Sequence, residues 1–341
     1  MKTLFSVVIA CMFFFTSCGS KETPGTGNTV PGNLTLNATV NPDNSGNVSF
    51  VAAATNTVLY TFDFGNGVTQ ISTTGSLVYK YFASGVYTVT VVAKSASGQT
   101  ASKTMLVTVS VTASLVWADE FDIAGQPDAS KWGYDLGAGG GWGNNEVQYY
   151  TNRVDNVTIS GGTLKIILKK EAYSGSAYTS ARMLSKGKFS FKYGKVEVMA
   201  KIPPGGGTWP AIWMLGDNIG TAGWPACGEI DIMEHVGNQL NKIFATLHHP
   251  GHSGSNGDGS SVMIPTSTTA FHKYSLDWSA STIKISVDDV PFYTFTNTAS
   301  LPFNQNFFMI LNVAMGGNFG GTVDPAITSA VMEIDYVRVY Q

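Results

Sequence analysis

The stretch CGEIDIMEHVG, residues 227–237, places three carboxylates within six positions: Glu229, Asp231 and Glu234. On a strand, residues i and i+2 share a face. Glu229 and Asp231 then point one way, Ile230 and Ile232 the other. Regular alternation would bring Met233 to the acid face and turn Glu234 away. One extra residue, a β-bulge, restores the phase and returns Glu234 to the other two acids. Acids crowded on one face repel each other at a cost, which argues for a chemical role. A solvated acidic face and a calcium site are the plainer alternatives.

The flanking sequence supports strands on both sides. NVTISGGTLKIIL, GKFSFKYGKVEVMAKI, FATLHH, HKYSLDW, TIKISVDD, FFMILNVAM and VMEIDYVRVY all alternate, and helical periodicity is nearly absent. A chain of this kind over residues 113–341 predicts two sheets packed face to face, a jelly roll. With the bulge, Glu229 and Glu234 are about four strand steps apart, roughly 13 Å between Cα atoms. Side chains leaning together would bring the carboxyls to roughly 5–5.5 Å, the separation used in retaining glycoside hydrolysis.

Composition agrees with an all-β chain. Of 341 residues, 43% are hydrophobic, 12% aromatic and 13% charged, with 38 glycines, and the formal net charge is -3. Nothing in that balance draws the chain to nucleic acid. Length favours two domains.

The N-terminus reads as a targeting segment. Lys2 precedes the apolar run LFSVVIACMFFF, which is short for a membrane span. The small residues before Cys18 resemble a bacterial lipoprotein signal over residues 1–18, with Cys18 as the lipidated first residue of the mature chain. Phe15 departs from the usual Leu, and a plain signal peptide is the alternative. Acylation would tether the protein to a membrane without spanning it, placing it in a bacterial cell envelope, on the outer-membrane surface or in the periplasm. With Cys11 removed and Cys18 acylated, Cys227 stands alone and no intrachain disulfide forms. Residues 19–31, GSKETPGTGNTVP, read as a flexible linker.

Residues 32–111 carry short alternating segments, among them YTFDFGNG and YKYFASGVYTVTVVAKSASG. These resemble the PKD-type immunoglobulin-like domain, with Asn66 where that family more often has Asp. The resemblance implies a β-sandwich, read here as a spacer or, alternatively, as a glycan-binding module.

GEIDIMEHVG resembles the signature of glycoside hydrolase family 16 in its bulged form. WADEFD, GWGNNEVQYYT, SARMLSKGKFSFKYGKVEVMAKIP, GTWPAIWMLG, ILNVAMGGNFGG and MEIDYVRVY extend the likeness, in order, to the laminarinase-like branch. The resemblance implies a concanavalin-like jelly roll with a substrate groove on its concave sheet. It implies Glu229 as nucleophile, Glu234 as general acid and then base, and Asp231 as assistant to Glu229.

A polysaccharide groove needs aromatic platforms with polar side chains between them. Trp209 and Trp213 share a face if their segment is extended, and Trp224 precedes the acid strand. Core packing competes for Trp209 and Trp213. Trp117, Trp132 and Trp278 read as core. Asn144 and Arg182 match family positions that contact sugar, with a turn and a salt bridge as their respective alternatives. His248 resembles a family histidine beside the acid/base, and Asn312 reads as support for the groove. His248, His249 and His252 invite a zinc reading, which the lack of an acidic or Cys partner at metal-ligand spacing argues against. The family's structural calcium ion would fall to Glu120, the Gly162 backbone and Asp335; no cofactor is expected for catalysis.

The expected function is a monomeric, retaining endo-β-glucanase acting on β-1,3-glucan, mixed-linkage β-1,3/1,4-glucan, or both. A non-catalytic glycan-binding lipoprotein and a β-glucan transglycosylase are the competing readings. Sulfated galactans would favour a basic groove, and no Lys/Arg cluster lies near the acid motif.

Overall fold

The computed structural model describes residues 29–82 and 84–341. The expected leader and Cys18 lie outside the described residues, as does most of the expected linker. Two β-sandwiches follow one another along the chain.

The first packs a sheet of Gly32–Val40, Asn47–Thr55 and Ser76–Lys80 against one of Leu59–Asp63, Thr69–Ser72, Gly85–Lys94 and Thr100–Val109. Alternation decides which side chains enter: Val89, Val91 and Ala93 are buried, whereas Thr88 and Lys94 face out. Phe50, Phe62, Phe64 and Tyr81 fill the centre. The FDFGNG turn is fixed by its own groups. Asp63 accepts the Gly65 amide at 2.9 Å. Gly65 has φ +74°, and a Cβ there would lie 2.5 Å from the Thr88 carbonyl oxygen, so only glycine fits. Asn66, at the position where the PKD pattern favours Asp, donates to the Tyr79 hydroxyl at 2.9 Å.

The second sandwich has a ten-stranded and a seven-stranded sheet. The smaller sheet runs Asp258–Met263, Lys242–His248, Glu229–His235, Thr208–Gly216, Phe307–Met315, Arg182–Leu184, Gly133–Asp135, every pair antiparallel. In Phe307–Met315 every residue is buried, because both faces are covered. Phe307, Met309, Leu311, Val313 and Met315 enter the core between the sheets, and Phe308 and Ile310 join a smaller apolar cluster on the other face. Ile212 and Met214 likewise enter the core. Trp209 and Trp213, at alternate positions, are left on the opposite face. Each such buried aliphatic side chain contributes about 1.5–3 kcal/mol, so this core holds the sheet that carries the acids. Val68 and Phe82 of the first sandwich pack against the second, with the Phe82 and Tyr193 ring centres 6.2 Å apart.

Candidate active site

The bulge is present. On one side of the acid strand Trp213 pairs with Asp231, Ile212 with Met233 and Ala211 with Glu234. On the other side Asp231 pairs with Thr246 and Glu234 with Phe244. Over this interval the acid strand has one residue more than either neighbour. Ile230, Ile232 and Met233 all enter the core. The three carboxyls stand together on the opposite face, as the spacing required.

Their surroundings are specific. Trp209 donates its indole N–H to Glu234 Oε1 at 2.9 Å, and the Thr246 hydroxyl approaches Glu234 Oε2 at 3.4 Å. Trp224 donates its indole N–H to Glu229 Oε2 at 2.8 Å. His248 pairs with Glu229 across the strands. Its Nε2 stands 3.2 Å from Asp231 Oδ2 and 3.8 Å from Glu229 Oε1. The Asp231 oxygen is buried without a formed hydrogen bond, so it holds an acceptor that water cannot reach. His248 is thus nearer this pair than a position beside Glu234 alone would give.

Burial and mutual repulsion push all three acids towards protonation. Burial, and then the charges of Asp231 and Glu234, raise Glu229 to about 8, against the opposing pull of His248 and the Trp224 N–H. Asp231 is raised well above the ordinary range by burial and by Glu234. Glu234 is raised by burial, while the Trp209 N–H, His248 and the Thr246 hydroxyl pull it down. Each acid therefore holds its proton to higher pH than a free carboxyl would. An acid and a base side by side are what general acid catalysis requires.

The remaining sequence candidates surround this cluster unevenly. Trp224 is 48% exposed, with its ring 5.8 Å from that of His248. Trp209 and Trp213 are half-buried. Trp213 donates to Asn312 Oδ1 at 2.7 Å, and Asn312 in turn donates to the Tyr150 hydroxyl, so Asn312 braces the platform. Arg182 lies 4.8 Å from the Trp213 ring centre and 5.0 Å from that of Trp142. Its Nε is 3.0 Å from Asp135 Oδ2, so the salt bridge weighed from sequence exists alongside the aromatic contacts. Asn144 donates to Glu146 Oε1 at 3.3 Å. Trp132 and Trp278 are buried, and Trp117 stacks on Phe189 at the core's margin.

Sequence reasoning missed Trp142 and Glu146. Both lie in the same Gly-rich motif as Asn144, which was the available signal. Glu146 accepts from Asn144, Gln148 and the Tyr150 hydroxyl, and burial raises its pKa.

Of the residues expected to hold calcium, Asp335 lies on a strand of the larger sheet, Gly162 in the turn between two of its strands and Glu120 directly after the strand Leu115–Asp119. Strand register sets Leu164 opposite Ile334, which brings Gly162 close to Asp335. The Glu120 carboxylate takes two bonds from Arg338, at 2.9 and 2.8 Å. The histidines do have an acidic partner, contrary to the expectation from spacing. Asp258, on the next strand, approaches His249 and His252 and supplies the acidic partner that sequence spacing had not revealed.

Comparison with known proteins gives the same picture. Residues 144–338, more than half of the chain, match the family model for glycosyl hydrolases family 16, and residues 33–119 match the PKD domain. A beta-glucanase of Rhodothermus marinus is 46% identical over 243 residues, covering 67% of this chain and 85% of the relative. The crystal structure of the laminarinase from Rhodothermus marinus superposes with a TM-score of 0.65 at 44% identity, covering 67% of this chain and 98% of that one. A mutant of a non-specific endo-beta-1,3(4)-glucanase from family GH16, crystallised with 1,3-beta-D-cellotriosyl-glucose, superposes with a TM-score of 0.64 at 42% identity, covering 67% and 95%. With its bulged acid strand, its two-sheet core and these matches, the chain belongs to the glycosyl hydrolases of family 16.

Proposed function

We propose that this protein is a retaining endo-β-glucanase that hydrolyses internal bonds of β-1,3-glucan, of mixed-linkage β-1,3/1,4-glucan, or of both. One observation carries the reading: two glutamates on one bulged strand face, each held by an indole N–H from a different tryptophan. The named relatives act on glucans of this class, which supports the substrate.

In this reading ionised Glu229 attacks the anomeric carbon while Glu234 gives its proton to the leaving glycosidic oxygen. The bond to the leaving sugar breaks as a glycosyl ester to Glu229 forms. Glu234, now a carboxylate, takes a proton from water. That water attacks the same carbon, displaces Glu229 and leaves the configuration retained. Asp231 assists by keeping a proton near Glu229, so that a single charge rests on the nucleophile. The Trp224 N–H favours that charge. Trp209, Trp213 and Trp224 are assigned as sugar platforms, and Asn144, Arg182 and His248 as polar contacts.

The test is reducing-end release from laminarin and from barley mixed-linkage glucan, with products sized and the first-formed anomer read by NMR. Oligosaccharides with retained configuration are expected. Inverted products, or release of single sugars from chain ends, would overturn the reading. Binding without release would mark a glycan-binding protein.

Acylation at Cys18 would anchor a monomeric catalyst in the cell envelope, with the first sandwich as spacer. A structural calcium ion would be held by Glu120, the Gly162 carbonyl and Asp335, with Glu120 shared between the ion and Arg338. A calcium-dependent rise in Tm that Asp335→Asn abolishes would support it, and no shift with calcium would remove it.

A further inference from the structure

We propose that His249, His252 and Asp258 bind a divalent transition-metal ion of the zinc class, fastening the loop 250–257 beside the groove. The ligand atoms converge. His249 Nε2 is 2.9 Å from Asp258 Oδ2, and His252 Nδ1 is 3.0 Å from Asp258 Oδ1. With one ligand atom taken from each residue, the three lie within 4.8 Å of one another. Zinc bonded at about 2.0–2.1 Å in a tetrahedron needs ligand atoms roughly 3.3 Å apart. The two imidazole–carboxylate contacts, made to different Asp258 oxygens, would open by a few tenths of an ångström, and the wider ligand pairs, all within 4.8 Å, would close towards the same spacing.

The chain holds the two imidazoles ready. His249 and His252 exchange both backbone hydrogen bonds, at 2.8 and 2.9 Å, across a turn centred on Pro250 and Gly251. Proline pre-sets the first corner of such a turn, and Gly251 at φ +87° takes the left-handed second corner. The rings stack with centres 4.8 Å apart. His249 is buried against Phe295 and Phe303, which fixes its ring. His252 is 51% exposed on its side chain, so an ion can enter and keep a water as fourth ligand. Asp258 is placed by its pairing with Leu247. Two imidazoles and one carboxylate select zinc-class ions over calcium or magnesium, which prefer all-oxygen shells.

The consequence reaches the groove. A Cβ on Gly257 would meet the His248 ring at 2.7 Å, so this loop lies directly against that side chain. An ion would pin the loop's two ends and with them the wall behind His248.

The experiment uses the untagged full chain, stripped with a chelator and titrated with zinc chloride by calorimetry. One zinc per chain and a raised Tm are expected, with a visible d–d absorption band when cobalt replaces zinc. His252→Ala and Asp258→Asn should each weaken binding by at least the roughly ten- to hundredfold typical of losing an outer-shell partner. Glu229→Gln should leave the affinity intact, which separates this site from the acid cluster. No heat above dilution, or binding that survives both His252→Ala and Asp258→Asn, would overturn the proposal. The readout is metal binding, so its failure is distinct from failure to cleave glucan.

Discussion

The two sandwiches use one architecture for opposite ends. In the first, the titratable groups serve structure: Asp63 ties down a turn, and Tyr81 donates its hydroxyl to the Phe64 carbonyl at 3.0 Å inside the core. In the second, three carboxyls are pressed together on one strand face with their pKa values all raised. The first satisfies its polar groups; the second keeps several of them in tension. A strained charge cluster persists only where the sheet beneath it is rigid, and the buried residues Ile230, Ile232 and Met233 supply that rigidity.

The largest test of this contrast removes the reactive carboxyls. Glu229→Gln and Glu234→Gln should each lower kcat/KM on laminarin by at least about a thousandfold, with circular dichroism unchanged. A variant keeping near-normal turnover would break the comparison, because the cluster would then be structural.

The next effect is on the pH profile. Turnover needs ionised Glu229 and protonated Glu234, so kcat/KM should form a bell displaced above the ordinary carboxylate range. Trp224→Phe removes a bond that lowers the pKa of Glu229. The acid limb should move up by roughly one pH unit. Trp209→Phe does the same for Glu234, and there the alkaline limb should move up. Movement in the other direction would contradict the roles assigned to the indoles.

A smaller effect is on stability. Burial raises the pKa of Glu229, so between the unfolded and folded values the folded chain holds more protons than the unfolded one. Stability from this group is full below the unfolded value near pH 4 and declines as pH rises towards about 8. Glu229→Gln removes the decline. Its Tm should exceed that of the parent by roughly 3–8 °C at alkaline pH and match it at acid pH. Scanning calorimetry at both ends decides.

The smallest expected effect lies in the first sandwich. Deleting residues 1–111 should leave kcat/KM on soluble laminarin unchanged. A large loss would give that sandwich a share in the substrate and weaken the division of labour. The contact of Phe82 with Tyr193 makes a modest drop in Tm the expected side effect.

What the sequence made legible was local. The bulge could be inferred because a single strand carries both the acids and the apolar residues, and its phase must serve both. The assignment of Trp132 and Trp278 to the core likewise agrees with their burial. Contacts made across strands were harder to read. Arg182 meets Trp142, Trp213 and Asp135 from three different segments, and no spacing links them. Asp258 is six residues from His252 in sequence, yet a hairpin brings its carboxylate to hydrogen-bond distance. Register sets such pairings, and register is a property of two strands together.

The bulge has one more consequence, for how this segment tolerates change. At positions 232 and 233 two residues stand opposite one on each neighbouring strand, and both enter the core. Exchanging Met233 for Leu conserves volume in the core and should cost less than about 1.5 kcal/mol. Deleting Met233 would erase the bulge, and regular alternation would then keep the Glu234 carboxyl on the acid face, with Ile232 alone entering the core between Asp231 and Glu234. A segment that carries one residue more than its neighbours could thus lose that residue and still hold its acids in line.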